Sequence, residues 1–203
     1  MRHRHTSFVS NVLAVEVFIE NAPLWEQIRL FQAQTLAYNG GRGVKVAVID
    51  TGLELTHPAF VGRLAPANEW KDFVDGDAVP AEVAGGPAYG HGTGVAGVTV
   101  QVAPNVMLLP LRVLGPDGSG DVDDVVMAVD WAVQQGADII NLSLGAAASV
   151  DVLNAVAAYA AEQGIYLVSS AGNTGDQRVT YPAAQADAGS GDAIEAFLKE
   201  FTK

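Results

Sequence analysis

Four short apolar segments alternate with helix-like segments along most of this chain, and that alternation limits the fold more than any other feature. The segment VKVAVI at 44–49 is continuous and rich in β-branched residues, which is typical of a strand buried on both faces. Similar segments follow at 106–114, 137–145 and 165–173, and Pro110 places part of the second near a sheet edge. Strands joined by helices predict a parallel α/β sheet with right-handed crossovers.

The segments between these strands have the periodicity of amphipathic helices. A short helix is expected to begin near Gly92. The helix predicted at 121–135 has three aspartates in its first turn, where the helix dipole favours them. The helix predicted at 149–164 has Ser149 as a candidate N-cap and Gly164 at its end. The apolar face of the helix at 121–135 is formed by Val122, Val125, Val126, Val129 and Val133.

Composition excludes several classes of function. The 203 residues suit one domain with a sizeable core, and a net charge of −12, from 11 basic and 23 acidic residues, excludes the basic surface that nucleic acids require. The chain has no cysteine, so we expect no disulfide and no thiolate metal site. No apolar run approaches the ~20 residues of a membrane-spanning helix, and the amino-terminal segment is not a convincing signal peptide.

Three polar residues lie at the end of a predicted strand or at the start of a predicted helix, where functional side chains are expected. Asp50 and Asn173 each end a predicted strand, and ligands of such sheets bind beyond the carboxyl ends of the strands. His91 lies at a predicted helix N-terminus, where the dipole favours a neutral imidazole that accepts a proton. Taken singly, Asp50 is equally typical of a turn cap, His91 is more typical of a cap on a glycine-rich turn, and Asn173 is a common turn residue. The loop after Asp50 lacks the paired glycines of a phosphate-binding loop, so we set a nucleotide-binding role aside.

Other polar residues favour structural roles. His57 precedes Pro58 in LTHPAF, and this pattern predicts a histidine in an extended turn. Asp72, Asp75 and Asp77 alternate in an acidic segment, which favours a solvated loop over a weak cation site.

Five segments together resemble the subtilisin-like serine proteases, the subtilase family. They are VKVAVIDTGLELTHPAF, GHGTGVAGV, VLGPDGSG, ADIINLSLG and SSAGN, in this order along the chain. The resemblance implies a three-layer subtilisin-like α/β fold with a parallel sheet and helices on both faces. It also implies that Asp50 is the orienting carboxylate, His91 the general base and Asn173 the oxyanion donor.

The same resemblance implies a peptide or protein substrate, bound as an added strand. The residues expected to bind it are Gly118, Ser119, Gly120, Ser143, Leu144, Gly145, Ala171 and Gly172.

The chain departs from the family pattern at the nucleophile. The family's serine lies in a GTSMA-like turn far beyond the oxyanion asparagine, whereas 30 residues follow Asn173 and none of them forms this turn. We therefore expect a fold truncated at its carboxyl side, with residues 1–42 as a lead-in, 43–184 as the core and 185–203 as a linker and amphipathic helix. Ser190 is a linker serine by this interpretation, and its use as a substitute nucleophile is the alternative.

Two further expectations follow from the resemblance. Many members carry a calcium-binding loop after the histidine helix, but this segment is short here, so we expect no calcium site there, no other metal site and no cofactor. The family is commonly secreted, although nothing in this chain assigns a compartment.

Three functions remain open at this point. The first is peptide-bond hydrolysis by the family's mechanism, weak or absent in this chain alone. The second is a non-catalytic module that binds a peptide or a partner in the same cleft. The third is one half of a split protease, whose partner chain supplies the serine and covers the truncated face of the sheet.

Overall fold

The fold is built around one parallel sheet of five strands. The computed structural model describes residues 21–146, 151–173, 175 and 179–184. The strand order is β2-β3-β1-β4-β5, and every neighbouring pair is parallel. The prediction of a parallel α/β sheet is therefore confirmed. The strands are β1 (Lys45–Asp50), β2 (Lys71–Asp72), β3 (Met107–Arg112), β4 (Ile139–Leu142) and β5 (Tyr166–Ser169).

Helices cover both faces of this sheet. Alternate residues of β1 point to opposite faces, so Val46 and Val48 pack with Ala96 of the histidine helix, whereas Ala47 and Ile49 pack with the two later helices. The three-layer architecture is thus confirmed. No helix of the described ranges is long and apolar enough to span a bilayer. The helices are α1 (Ala22–Gln27), α2 (Leu30–Leu36), α3 (His91–Val102), α4 (Val122–Gln134) and α5 (Asp151–Glu162).

The predicted helices and the edge position of Pro110 are confirmed. Val125 and Val129 of α4 are buried, and the other three valines of its predicted face pack against the same core. Pro110 lies in β3, whose outer neighbour β2 pairs only with Leu111 and Arg112, so the missing N–H of Pro110 breaks no ladder. The candidate cap Ser149 lies outside the described residues, as does the tail from residue 185.

Two short helices, α1 and α2, precede the core and were not anticipated from the sequence. Trp25 and Leu30 are their buried apolar anchors. Gln34 of α2 donates from Nε2 to the carbonyl oxygens of Gln101 and Val102, at 3.0 and 2.9 Å. These bonds use carbonyl groups at the end of α3 that have no partner within their own helix. The end of α3 is therefore held by α2.

The interpretation of the acidic segment as a solvated loop is wrong for Asp72. This residue is only 1% exposed, and its Oδ2 accepts from Nη1 of Arg112 at 2.7 Å, while Asp75 accepts from the same nitrogen at 2.6 Å. Arg112 ends the buried strand β3, and a buried guanidinium requires an anionic partner. Oδ1 of Asp72 also accepts the backbone N–H groups of Val74 and Asp75, so the loop is folded around this carboxylate.

Asp72→Ala and Asp75→Ala form a matched test, because both carboxylates contact the same nitrogen of Arg112 and only one is buried. We expect Asp72→Ala to lower the free energy of unfolding by about 3 kcal/mol, since it leaves a buried cation poorly compensated. Asp75, whose side chain is 58% exposed, should contribute about 0–1 kcal/mol. Urea unfolding of both variants measures the difference, and equal losses would contradict it.

Candidate active site

Asp50 and His91 meet where the first strand ends and the histidine helix begins. Asp50 follows Val46 and Val48 on the face of β1 that α3 covers, and His91 is the first residue of α3. Nδ1 of His91 lies 2.7 Å from Oδ1 of Asp50. The carboxylate is completely buried, whereas the imidazole is 47% exposed. The strand therefore buries the acid, whereas about half of the imidazole remains accessible.

Two glycines allow this close approach. Gly52 has a φ of +95°, and a Cβ there would lie 2.7 Å from the carbonyl oxygen of Pro80. A Cβ on Gly92 would lie 2.1 Å from the carbonyl oxygen of Gly52. The first turn of α3 consequently sits directly on the turn that follows Asp50, and any larger residue at Gly92 would push the histidine away.

Burial controls the electrostatics of Asp50. It raises the pKa of this carboxyl above its usual value, although the hydrogen bonds from His91 and from the backbone N–H of Thr51 oppose the shift. Within the described part of the chain, Oδ2 has no hydrogen-bond partner. An ionised carboxylate only accepts, so Nδ1 of His91 carries the proton and Nε2 keeps its lone pair. The pair is thus arranged to accept a proton at Nε2.

A cleft of about 440 Å³ opens beside His91, beyond the carboxyl ends of β3 and β4. Residues 118–120 and 143–145, the six expected to bind substrate after these strands, all line it. Leu114, Val125 and Leu153 contribute apolar wall. The cleft therefore combines two loop segments, an apolar recess and an accessible imidazole, an arrangement that can hold a ligand beside a base.

The remaining predicted residues lie outside this lining. Ala171, Gly172 and Asn173 follow β5 and are exposed, and the carbonyl oxygen of Ala171 accepts from the backbone N–H of Thr180 at 3.1 Å. Their roles in the pocket and the oxyanion hole stay predictions. Ser190 lies outside the described residues.

His57 has the structural role that its turn predicted. Its Nδ1 accepts from the backbone N–H of Ala59 at 3.2 Å, and its ring lies 5.3 Å from that of Phe60. Among the residues that the structure describes, no group of three His, Asp or Glu side chains is placed to hold a metal ion.

A hydrogen-bonded cluster behind the Asp50–His91 pair was missed by sequence reasoning. Glu82 accepts from Oγ1 of Thr51 and from Oγ1 of Thr93, each at 2.8 Å. Oγ1 of Thr51 in turn accepts from the backbone N–H of Gly92 at 3.0 Å. Thr51 and Thr93 lie inside two of the five segments given in the sequence analysis, so their hydroxyl groups could have been recognised as candidate site groups. Glu82 belongs to a segment interpreted as an acidic loop, and no local pattern marks it.

The chain matches the model of the Subtilase family over residues 41–193. It is 39% identical over 183 residues to the minor extracellular protease Vpr of Bacillus subtilis (strain 168), and the match covers 83% of this chain and 22% of that protein. It is 35% identical over 158 residues to thermitase of Thermoactinomyces vulgaris, covering 73% of this chain and 54% of that protein. The chain thus spans between about a fifth and about half of the length of these relatives.

Solved structures give the same picture. A cold adapted subtilisin-like serine proteinase aligns with a TM-score of 0.57 at 36% identity, covering 66% of this chain and 48% of that one. A lanthipeptide protease aligns with a TM-score of 0.61 at 31% identity, covering 73% of this chain and 44% of that one. The fold of the described residues is therefore similar to part of these larger domains.

The raised pKa of Asp50 predicts a pH dependence that Asp50→Asn removes. A carboxyl group whose folded-state pKa lies above its ordinary value of 3.8 favours folding when protonated and loses that contribution as pH rises through the folded-state pKa. The free energy of unfolding of the unmodified chain, minus that of Asp50→Asn, should therefore fall as the pH rises above 3.8. Urea titrations at several pH values measure this difference, and a difference that grows with pH would contradict the raised pKa.

Proposed function

Because this chain belongs to the subtilase family, we propose that it supplies the base, the orienting acid and much of the substrate cleft for peptide-bond hydrolysis. The observation that carries this proposal is the 2.7 Å contact between Nδ1 of His91 and Oδ1 of Asp50 beside the cleft. A half-exposed imidazole with a fixed tautomer is what activation of a hydroxyl nucleophile requires.

In each half of the reaction, His91 acts first as a base and then as an acid. Nε2 takes the proton of a serine hydroxyl as its oxygen attacks the peptide carbonyl carbon, and the carbonyl π pair moves onto oxygen. When that pair returns, the C–N bond breaks and the imidazolium protonates the leaving amine, which leaves an acyl-serine ester. His91 then takes a proton from a water molecule that attacks the ester. The imidazolium returns this proton to the serine oxygen as the carboxylic acid product leaves. Throughout, Asp50 accepts the Nδ1 proton and stabilises the imidazolium.

Substrate binding is assigned to the two backbone edges of the cleft. An extended peptide would lie between residues 118–120 and 143–145, with one side chain in the apolar recess beside Leu114 and Val125. Asn173 is proposed to donate its side-chain amide to the oxyanion, a contribution worth about 3–4 kcal/mol in comparable sites. Ala171 and Gly172 are proposed to border the adjoining pocket.

The serine is proposed to come from a segment with the family's serine turn, and these 203 residues alone are proposed to be inactive or weak. The exposure of the sheet supports an incomplete domain. Leu167 of β5 is buried under α4 and α5, whereas its neighbour Val168, on the opposite face, is 47% exposed. A further part of the domain, on the same or a partner chain, would cover this face.

A second candidate function is peptide binding without turnover. It is favoured by one observation: the six predicted substrate-binding residues of 118–120 and 143–145 all line the cleft. Titration with an extended peptide separates the candidates, since binding that survives His91→Ala without any cleavage supports the second.

Complementation tests the first candidate. Fusing the chain after Ala184 to a subtilase segment that carries the serine turn should give a stoichiometric fluorophosphonate adduct on that serine, measured by intact mass. His91→Ala in the fusion should lower peptide hydrolysis more than about 10³-fold, since the base is lost. The unfused chain, incubated with the same probe, is expected to show no adduct.

Two results would contradict the proposal. A folded fusion without an adduct would show that Asp50 and His91 do not activate a serine. A His91-dependent adduct on the unfused chain would show that the chain already holds a nucleophile, with Ser190 the first residue to map.

A further inference from the structure

Glu82 lies between the segment that carries Asp50 and the segment that carries His91. Its backbone N–H donates to the carbonyl oxygen of Leu53 at 3.2 Å, and the N–H of Leu53 donates to Pro80 at 2.9 Å. Residues 80–82 therefore run beside the turn that follows Asp50. From this position the side chain of Glu82 reaches both Thr51, the neighbour of Asp50, and Thr93, two residues beyond His91.

The carboxylate of Glu82 sets the direction of two hydroxyl groups. An ionised carboxylate only accepts, so the hydroxyl protons of Thr51 and Thr93 must both point at it. Each hydroxyl oxygen is then left as an acceptor. That of Thr51 accepts the N–H of Gly92 at 3.0 Å, and that of Thr93 accepts the N–H of Glu54 at 2.8 Å. One carboxylate therefore organises two cross-links between the acid segment and the base segment.

The same carboxylate replaces a missing helix cap. Helix α3 follows Gly90, which has no side chain to accept the first N–H groups, and its φ is +90°. The N–H of Gly92 is bound through Thr51, and the N–H of Thr93 points to Oε1 of Glu82 at 3.4 Å. A negative charge at this end of α3 also interacts favourably with the helix dipole. The orientation of His91, the first residue of α3, depends on this end of the helix.

We propose that Glu82 is a positioning residue, which holds His91 against Asp50 through the hydroxyl groups of Thr51 and Thr93. This inference rests on the proposed function, because positioning has meaning only if the pair acts as the base. Glu82 does not line the cleft, and among the described residues its side-chain hydrogen bonds are with Thr51 and Thr93, so it acts on His91 through these two residues and the start of α3.

Glu82→Gln tests the proposal with almost no change in size. A carboxamide keeps one acceptor oxygen, but its NH₂ group faces the second hydroxyl, so one threonine must turn its proton away and loses its hydrogen bond to the carboxylate. In NMR of the ¹⁵N-labelled chain, water exchange of the His91 Nδ1 proton and of the Gly92 amide should become about tenfold faster, the factor expected for one lost hydrogen bond. The amide of Val48 in β1 should keep its protection.

Glu54→Gln is the matched control. Its side chain is exposed and accepts from Oγ1 of Thr56, and within the described residues it joins the cluster through its backbone N–H. It should leave both exchange rates unchanged. Thr93→Val, which removes one hydroxyl without changing shape, should reproduce the effect of Glu82→Gln, and Thr93→Ser should restore slow exchange. If Glu82→Gln also lowers the protection of the Val48 amide, the comparison of Thr93→Val with Thr93→Ser decides whether the hydroxyl groups hold His91.

The outcomes distinguish the two proposals. If the unmodified chain shows no hydrogen-bonded Nδ1 proton on His91, the Asp50–His91 pair itself is wrong and the proposed function fails with it. If that proton is present and its exchange is the same in Glu82→Gln and Thr93→Val as in the unmodified chain, the role of Glu82 is overturned and the proposed function stands.

Discussion

The burial of one carboxylate, Asp50, determines how this site is built. A charged group with no exposure is costly, and its cost is reduced here chiefly by a ring N–H and a backbone N–H. Meeting those two donors requires β1 to end under the first turn of α3, and the glycines at 52 and 92 make that approach possible. The position of His91, and hence of the cleft beside it, follows from that requirement.

A comparison of Asp50 with Asp72 shows how the partner decides the role of a buried acid. Asp72 faces the guanidinium of Arg112 and two backbone N–H groups, so its charge is compensated and the residue anchors a loop. Asp50 faces the imidazole of His91, and within the described residues its second oxygen has no partner. Incomplete compensation is typical of functional sites, where a charge that develops during a reaction can complete it. Glu82 belongs to neither class, since its charge organises hydroxyl groups.

The strands and the Asp50–His91 pair could be predicted from the sequence, but the contacts that support them could not. Apolar runs such as 44–49 reveal buried strands locally, and the strand-end rule marks Asp50 as a candidate site residue. Its pairing with His91 came from the resemblance to the subtilase family. The bonds from Glu82 to Thr51 and Thr93, and from Asp72 to Arg112, join segments 11 to 40 residues apart, which no periodicity encodes. The clearest available signal was Arg112, a charged residue at the end of an apolar strand. Helices α1 and α2 were missed because their anchors, Trp25 and Leu30, form no repeating face.

The tautomer of His91 tests the central claim most directly. The ¹⁵N chemical shifts of its two ring nitrogens at neutral pH distinguish a proton on Nδ1 from a proton on Nε2. The account predicts the Nδ1 proton in the unmodified chain, with Nε2 free to accept, and a mixture of both forms in Asp50→Asn. A histidine protonated on Nε2 in the unmodified chain would contradict it, because such a ring has no lone pair to offer a nucleophile at the cleft.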